Sequence, residues 1–358
     1  MNYFNKYVSN TLAASSNQAI FIAGDADKIY TSRAYYKIFA EGEYNYSFLF
    51  SNMTDSTFGT KSHKNFVCSS WTMRSVRVGV CKECSTERMT EPEKMYPVTF
   101  GFAYEKTVMP GEFFASDEIK LRFDNGDYIC IEISWHGRMI PYHHETLVPV
   151  FSLENGEWVP SAVIPAVNMI GCDRETERRI GFLGDSITQG IGTPANSYKH
   201  WNAMLAEKLG DKYSYWNLGI GFARASDAAS DGAWLFKAKQ NDIVFVCLGV
   251  NDILAGRGAQ KIAKDIFNII SILNAHRIKV ILQTVPPFDY DCRQTMVWEN
   301  VNYIIKNIFA DYVYAVFDNV IILVKEGRRN LSGYGAHPNA EGCALWGEAL
   351  YEMVRRNF

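Results

Sequence analysis

No apolar run in this chain approaches the roughly 18 residues that a membrane-spanning helix needs. The N-terminal MNYFNKYVSN also lacks a basic segment followed by an apolar core of the signal-peptide kind. These absences predict a soluble, non-exported, cytoplasmic protein. Charge of one sign is missing too: with a net charge of −3 over 358 residues there is no field to gather nucleic acid or an anionic membrane, and a small or neutral partner fits better. Neither G-x-x-x-x-G-K-[ST] nor G-x-G-x-x-G follows a predicted strand, which removes the two common phosphate-cradling loops. Eight cysteines, at 68, 81, 84, 130, 172, 247, 292 and 343, are too scattered for a disulfide framework. Cys81 and Cys84 have the spacing of half a zinc site, but no second Cys/His pair at metal spacing stands nearby; no metal and no cofactor is expected. Repeats and low-complexity segments are absent as well.

What is present is an ordinary globular balance, 47% apolar and 21% charged, in a chain long enough for two cores. Residues 1–150 carry short β-type runs, among them YNYSFLF, RSVRVGV, YPVTFGF and DYICIEISW, separated by turn-rich pieces such as SNMTDSTFGTKSH. No segment there has helical period, so an all-β sandwich or jelly roll is predicted. Residues 151–177, with Pro160, Pro165 and the charged DRETERR run that ends at 179, read as the passage to a second domain over 178–358. There the texture alternates. RRIGFLG, YSYWNLG, NDIVFVCLG, KVILQTV and YVYAVF read as strands, and 196–210, 259–275, 294–309 and a stretch from about Asn339 as helices. Ile262, Ile266, Ile269, Ile270 and Leu273 make one helical stripe. Strict alternation of strand and helix means an α/β fold: a mostly parallel sheet between two helical layers.

The first of these strands runs into IGFLGDSITQGIGT. A serine at the carboxyl end of a parallel strand sits where open α/β sheets bind ligands, so Ser186 is a candidate nucleophile as well as an ordinary helix cap. It does not lie in G-x-S-x-G, since position 188 is Thr. Three later blocks fall at the same edge: NLGIGF (217–222), LGVND (248–252) and GAHPNAEG (335–342). Together they can gather a hydroxyl, backbone amides, a side-chain amide and an imidazole. His337 is the histidine of these blocks and the candidate base; the amide of Ser186, the backbone near Gly221 and the side chain of Asn251 are candidate oxyanion donors.

In order and spacing, GDSIT, the 217–222 block, GVND and HPN resemble the successive blocks of the SGNH, or GDSL-type, hydrolases. The resemblance covers about 178–358 and implies a flavodoxin-like three-layer αβα domain that hydrolyses ester or related acyl bonds without a cofactor. By position it makes Ser186 the nucleophile, Asn251 and the 217–222 backbone the oxyanion donors, and His337 the base. Two departures matter. The family's oxyanion glycine falls on Phe222, with Gly221 one place earlier, so either amide is a candidate. The family's aspartate, three residues before the histidine, is Tyr334 here. His337 is then oriented by a backbone carbonyl, by Tyr334 or by a displaced acid such as Asp318, or else the site is dead. A β-sandwich ahead of an SGNH domain is similar to carbohydrate esterase family two, whose members deacetylate sugars and can rely on a Ser–His dyad. This implies a short-acyl, acetyl-type ester of a small molecule or oligosaccharide as substrate. Trp71, Trp135, Trp201 and Trp298 are candidate sugar platforms, against a bland reading as core; His136, His143 and His144 read as packed or surface residues. A carbohydrate-binding protein with a non-catalytic SGNH domain, and an acyltransferase using the same acyl-enzyme, are the alternative readings.

Overall fold

The computed structural model describes residues 2–14, 19–55, 66–143, 147–325 and 330–356. His144 and positions 56–63 of the turn-rich stretch lie outside them. The chain divides into two compact units, with the boundary between Glu175 and Thr176.

Among the described residues the first unit is built from antiparallel strands. One sheet orders Val8–Ser9, Val167–Cys172, Gly42–Ser51 and Phe113–Ala115, with Ile119–Phe123 also on Gly42–Ser51. The larger sheet orders Glu157–Pro160, Val150–Glu154, Tyr30–Lys37, Tyr128–Gly137, Trp71–Cys81 and Met95–Val98, with Lys106–Val108 also on Trp71–Cys81. Period-two alternation explains the central strand Tyr128–Gly137. Ile129, Ile131 and Ile133 are buried on one face, while the opposite face buries Glu132 by pairing it with Arg33 at 2.6 Å. Three strands fall inside the expected 151–177 passage: most of Val150–Glu154, then Glu157–Pro160 and Val167–Cys172. Val150–Glu154 and Val167–Cys172 pair with strands formed far earlier in the chain, and Glu157–Pro160 folds back on Val150–Glu154 as a hairpin. Trp71, Trp135 and Trp201 are buried core residues, so they offer no open platform. Burial pushes the thiols of Cys81 and Cys84 up to about 11 and about 12, away from the reactive thiolate.

The second unit carries a parallel sheet of Arg178–Gly184, Tyr213–Gly219, Ile243–Cys247, Lys279–Gln283 and Ala315–Phe317, in the spatial order second, first, third, fourth, fifth. That is the flavodoxin-like order, with its switch point at the first strand. The stripe on Ala259–Ala275 is buried along its whole length. Other boundaries move. The helix expected from 196 starts at Trp201, because Asn196 and Tyr198 have φ of 59° and 52°, outside helical space. The helix expected over 294–309 is Cys292–Asn307, and Ile308, placed on its stripe, is exposed beyond its end. No helix among the described residues is long and apolar enough to cross a membrane.

Candidate active site

Three neighbouring strands end side by side, Gly184 opposite Gly219 and opposite Cys247. The segments that follow them therefore meet at one edge of the sheet. Beyond Gly184 the chain turns at once into the four-residue helix Ser186–Gln189, capped by the Asp185 carboxylate, which accepts the amide of Ile187 at 3.0 Å. Ser186 is half-buried at the start of that helix, and no described group accepts its amide. Asp185 is buried, and loss of water pushes its carboxyl up to about 7; the Ile187 amide pulls the other way, and the nearby Asp252 carboxylate adds to the rise.

After Tyr213–Gly219 comes a turn, Ile220 to Ala223, closed by the Ala223 amide on the Ile220 carbonyl at 3.2 Å. Phe222 takes a left-handed φ of 61° in it and stays 52% exposed. A bulky residue in that region costs about 1–3 kcal/mol and persists only where the surroundings hold it. The holders come from the third strand's segment, whose short helix Val250–Leu254 starts after Gly249. The Asn251 side-chain amide donates to the Ala223 carbonyl at 3.0 Å, and the Asp252 carboxylate accepts the Ala225 amide at 2.7 Å while paired with Arg257. One hydrogen of the Asn251 amide is left for another acceptor.

His337 reaches this edge from a tight turn that precedes the last helix, Ala340–Val354. The turn is tied by an isolated bridge between Ser332 and Pro338 and by the Gly333 amide on the His337 carbonyl at 2.9 Å. It lies directly on Gly192, where a Cβ would come within 2.5 Å of the Pro338 carbonyl oxygen and 2.9 Å of the His337 Cβ. Glycine at 192 is what lets the two loops touch, and its φ of 102° suits no other residue. Contact follows: His337 Nε2 lies 2.8 Å from Ser186 Oγ, across 151 positions of sequence. Its Nδ1 lies 2.9 Å from the Tyr334 backbone carbonyl. A carbonyl only accepts, so Nδ1 carries the proton and Nε2 is left to accept from the serine hydroxyl. Phe288 packs edge-on to the imidazole at 5.4 Å between centroids, and the 73% exposed Tyr334 ring stands at 5.7 Å.

The structure thus brings Ser186, His337 and the Tyr334 carbonyl together, and ties Asn251 to the turn that holds Gly221 and Phe222. It does not bring Asp318, whose carboxylate bonds Thr284 Oγ1 and Lys306 Nζ, each at 3.1 Å. Asp318 fails as the displaced acid because it is consumed at the end of its own strand. Trp298 is half-buried with its indole N–H on the Val285 carbonyl at 2.8 Å, and its ring stands 6.2 Å from Tyr290, itself 6.2 Å from the Phe288 ring that packs on His337. Phe288, Gly192 and the buried state of Asp185 were not signalled by any motif. Gly192 alone had a trace in the sequence, as the second glycine of GIG.

Residues 182–345 match the GDSL-like lipase/acylhydrolase family. The second unit therefore carries a domain of that family, and the chain is an ester-hydrolysing enzyme. Among solved structures, a member of the lipolytic G-D-S-L family from Veillonella parvula is similar at 22% identity over 50% of this chain and 98% of that one, with a TM-score of 0.44. A carbohydrate esterase family 3 structure from Talaromyces cellulolyticus matches at 18% identity over 50% and 96% of the two chains, with a TM-score of 0.40. The acetyl xylan esterase AlAXEase matches at 23% over 49% and 99%, with a TM-score of 0.40. No curated protein matches the chain.

Proposed function

We propose that the chain hydrolyses short acyl esters, acetyl foremost, carried on carbohydrate, through a Ser186–His337 dyad. The observation that carries this reading is the imidazole bonded at both nitrogens, Nδ1 to the Tyr334 carbonyl and Nε2 to Ser186 Oγ. The peptide carbonyl does the orienting that a carboxylate does in a triad, and it fixes the tautomer a general base requires.

Attack proceeds from Ser186 Oγ on the acyl carbon as its proton passes to His337 Nε2. The carbonyl oxygen becomes an oxyanion, received by the Ser186 amide, the second Asn251 amide hydrogen and an amide of the 220–223 turn. Of the two candidates in that turn, Gly221 is favoured because no described group accepts its amide. Collapse breaks the bond to the alcohol, which leaves with the proton from Nε2. Water, deprotonated by the same nitrogen, then attacks the acyl-enzyme, and Ser186 recovers its proton as the acid departs. A carbonyl does not balance the imidazolium charge as a carboxylate would, so the oxyanion donors carry a larger share of catalysis here.

We read the first unit as a jelly-roll-like sandwich, supported by antiparallel pairing throughout its two larger sheets. The test is hydrolysis of p-nitrophenyl acetate, p-nitrophenyl octanoate and an acetylated xylo-oligosaccharide by the purified chain and by Ser186→Ala. Turnover that favours acetyl and falls by at least about 10³-fold in the variant is expected. Equal turnover in the two proteins would remove Ser186 from the reaction, and a preference for octanoate would remove the acetyl reading.

A further inference from the structure

Outside the catalytic unit, Phe100 and Ala103 close a two-residue hairpin, bonded both ways at 2.8 and 3.3 Å. Both central residues are left-handed, Gly101 at φ 60° and Phe102 at φ 68°. Turns of this kind take Gly, Asn or Asp at these positions, and phenylalanine is poorly suited to them. One carboxylate holds the strained tip. Asp117 accepts the Gly101 amide at 3.0 Å, the Phe102 amide at 2.7 Å and the Thr99 hydroxyl at 2.6 Å. The outcome is a phenyl ring 92% exposed to water. Folding gains nothing from that ring itself, and Asp117, which also ties Thr99 to its own segment, holds the strained backbone that places it in water.

The ring borders a cavity of about 550 Å³, within the usual range for small-molecule sites. Tyr3, Lys6, Tyr7, Asp117 and Glu118 line it with Phe102. The Tyr3 and Tyr7 rings stand 4.8 Å apart, Tyr3 is pinned by its hydroxyl on the Ser47 carbonyl at 2.6 Å, and Lys6 pairs with Glu118. The Tyr7 ring is buried with the Lys6 ammonium over it at 5.5 Å, so Phe102 is the open ring, beside two carboxylates and one ammonium. Two carboxylates against one lysine disfavour an anionic ligand, and the charged wall disfavours a purely apolar one. A neutral sugar ring satisfies both surfaces: its C–H face lies on an aromatic ring while its hydroxyls bond carboxylate and ammonium.

We propose that this cavity, lined by first-unit residues, is a saccharide-binding site with Phe102 as its stacking platform. The choice of saccharide over other neutral polar ligands rests on the carbohydrate-ester reading above. The experiment is isothermal titration of xylohexaose, cellohexaose and mannohexaose into the full-length Ser186→Ala chain, and into the same chain with Phe102→Gly or Phe102→Trp. Binding of at least one oligosaccharide is expected, weakened about tenfold or more by glycine and kept by tryptophan. Glycine relieves the left-handed strain, so the Tm of Phe102→Gly should equal or exceed that of its parent, which separates lost binding from lost folding. Absence of binding by all three sugars overturns the proposal, as does binding that Phe102→Gly leaves unchanged. Hydrolysis of p-nitrophenyl acetate by the unsubstituted chain is read separately: Phe102-dependent binding without Ser186-dependent turnover sinks the esterase reading and leaves this site standing.

Discussion

At His337 the orienting partner is a main-chain oxygen, and this changes what a substitution there can do. Tyr334 occupies the position of the family's acid, yet it acts on the imidazole through its carbonyl, which every residue possesses. Tyr334→Ala should therefore keep kcat for p-nitrophenyl acetate within about fivefold, with the pH profile unmoved. A loss of a hundredfold or more would mean that the phenol side chain, not the carbonyl, carries the positioning.

The element that presents Ser186 brings its own pH dependence. Its cap, Asp185, takes up a proton near 7 in the folded chain because burial opposes the charged form, whereas an unfolded aspartate does so near ~3.9. Between these values the folded state binds more protons. Stability therefore falls as pH rises from about 4 to about 7, with a limiting slope of about 1.4 kcal/mol per pH unit from this one group. Asp185→Asn keeps the oxygen that caps Ile187 and loses the titration. Denaturant unfolding of the two proteins at several pH values in that window should show a shallower decline for the variant; equal slopes would show that Asp185 stays ionised. The buried Asp252 carboxyl is also raised, by burial first and against the pull of the Ala225 amide and Arg257; it is present in both proteins, and the variant removes only its coupling to the Asp185 charge.

On the scale of the whole chain, two units with separate cores predict two calorimetric transitions. Gly184→Ala singles one out. A Cβ at Gly184 would stand 1.9 Å from Thr188 Oγ1 and 2.8 Å from the Cys247 carbonyl, both within the second unit. Overpacking of this kind costs about 1–3 kcal/mol, or about 2–4 °C of Tm per kcal/mol in a unit this size. Only one transition should move, and movement of both together would show that the units unfold as one.

Local order was legible in the chain because it is written in periodicity: the parallel strands, the isoleucine stripe of 259–275 and the Asn339 cap all follow from near neighbours. The four chemical blocks were legible for the same reason, as each is a contiguous turn at a strand or helix end. What folding alone decided depends on groups far apart in sequence or without a side-chain signature. A carbonyl at Tyr334 looks like any other peptide group, so the sequence offers three candidates for the partner of Nδ1, and the 332–338 turn closing on Gly192 selects the carbonyl. The residues after 150 looked like a linker because of Pro160 and Pro165, but pairing with strands formed more than a hundred residues earlier draws Val150–Glu154 and Val167–Cys172 into the two sheets. Burial of Asp185, which moves its carboxyl by several pH units, is likewise a property of the packed edge and not of the letters GDS.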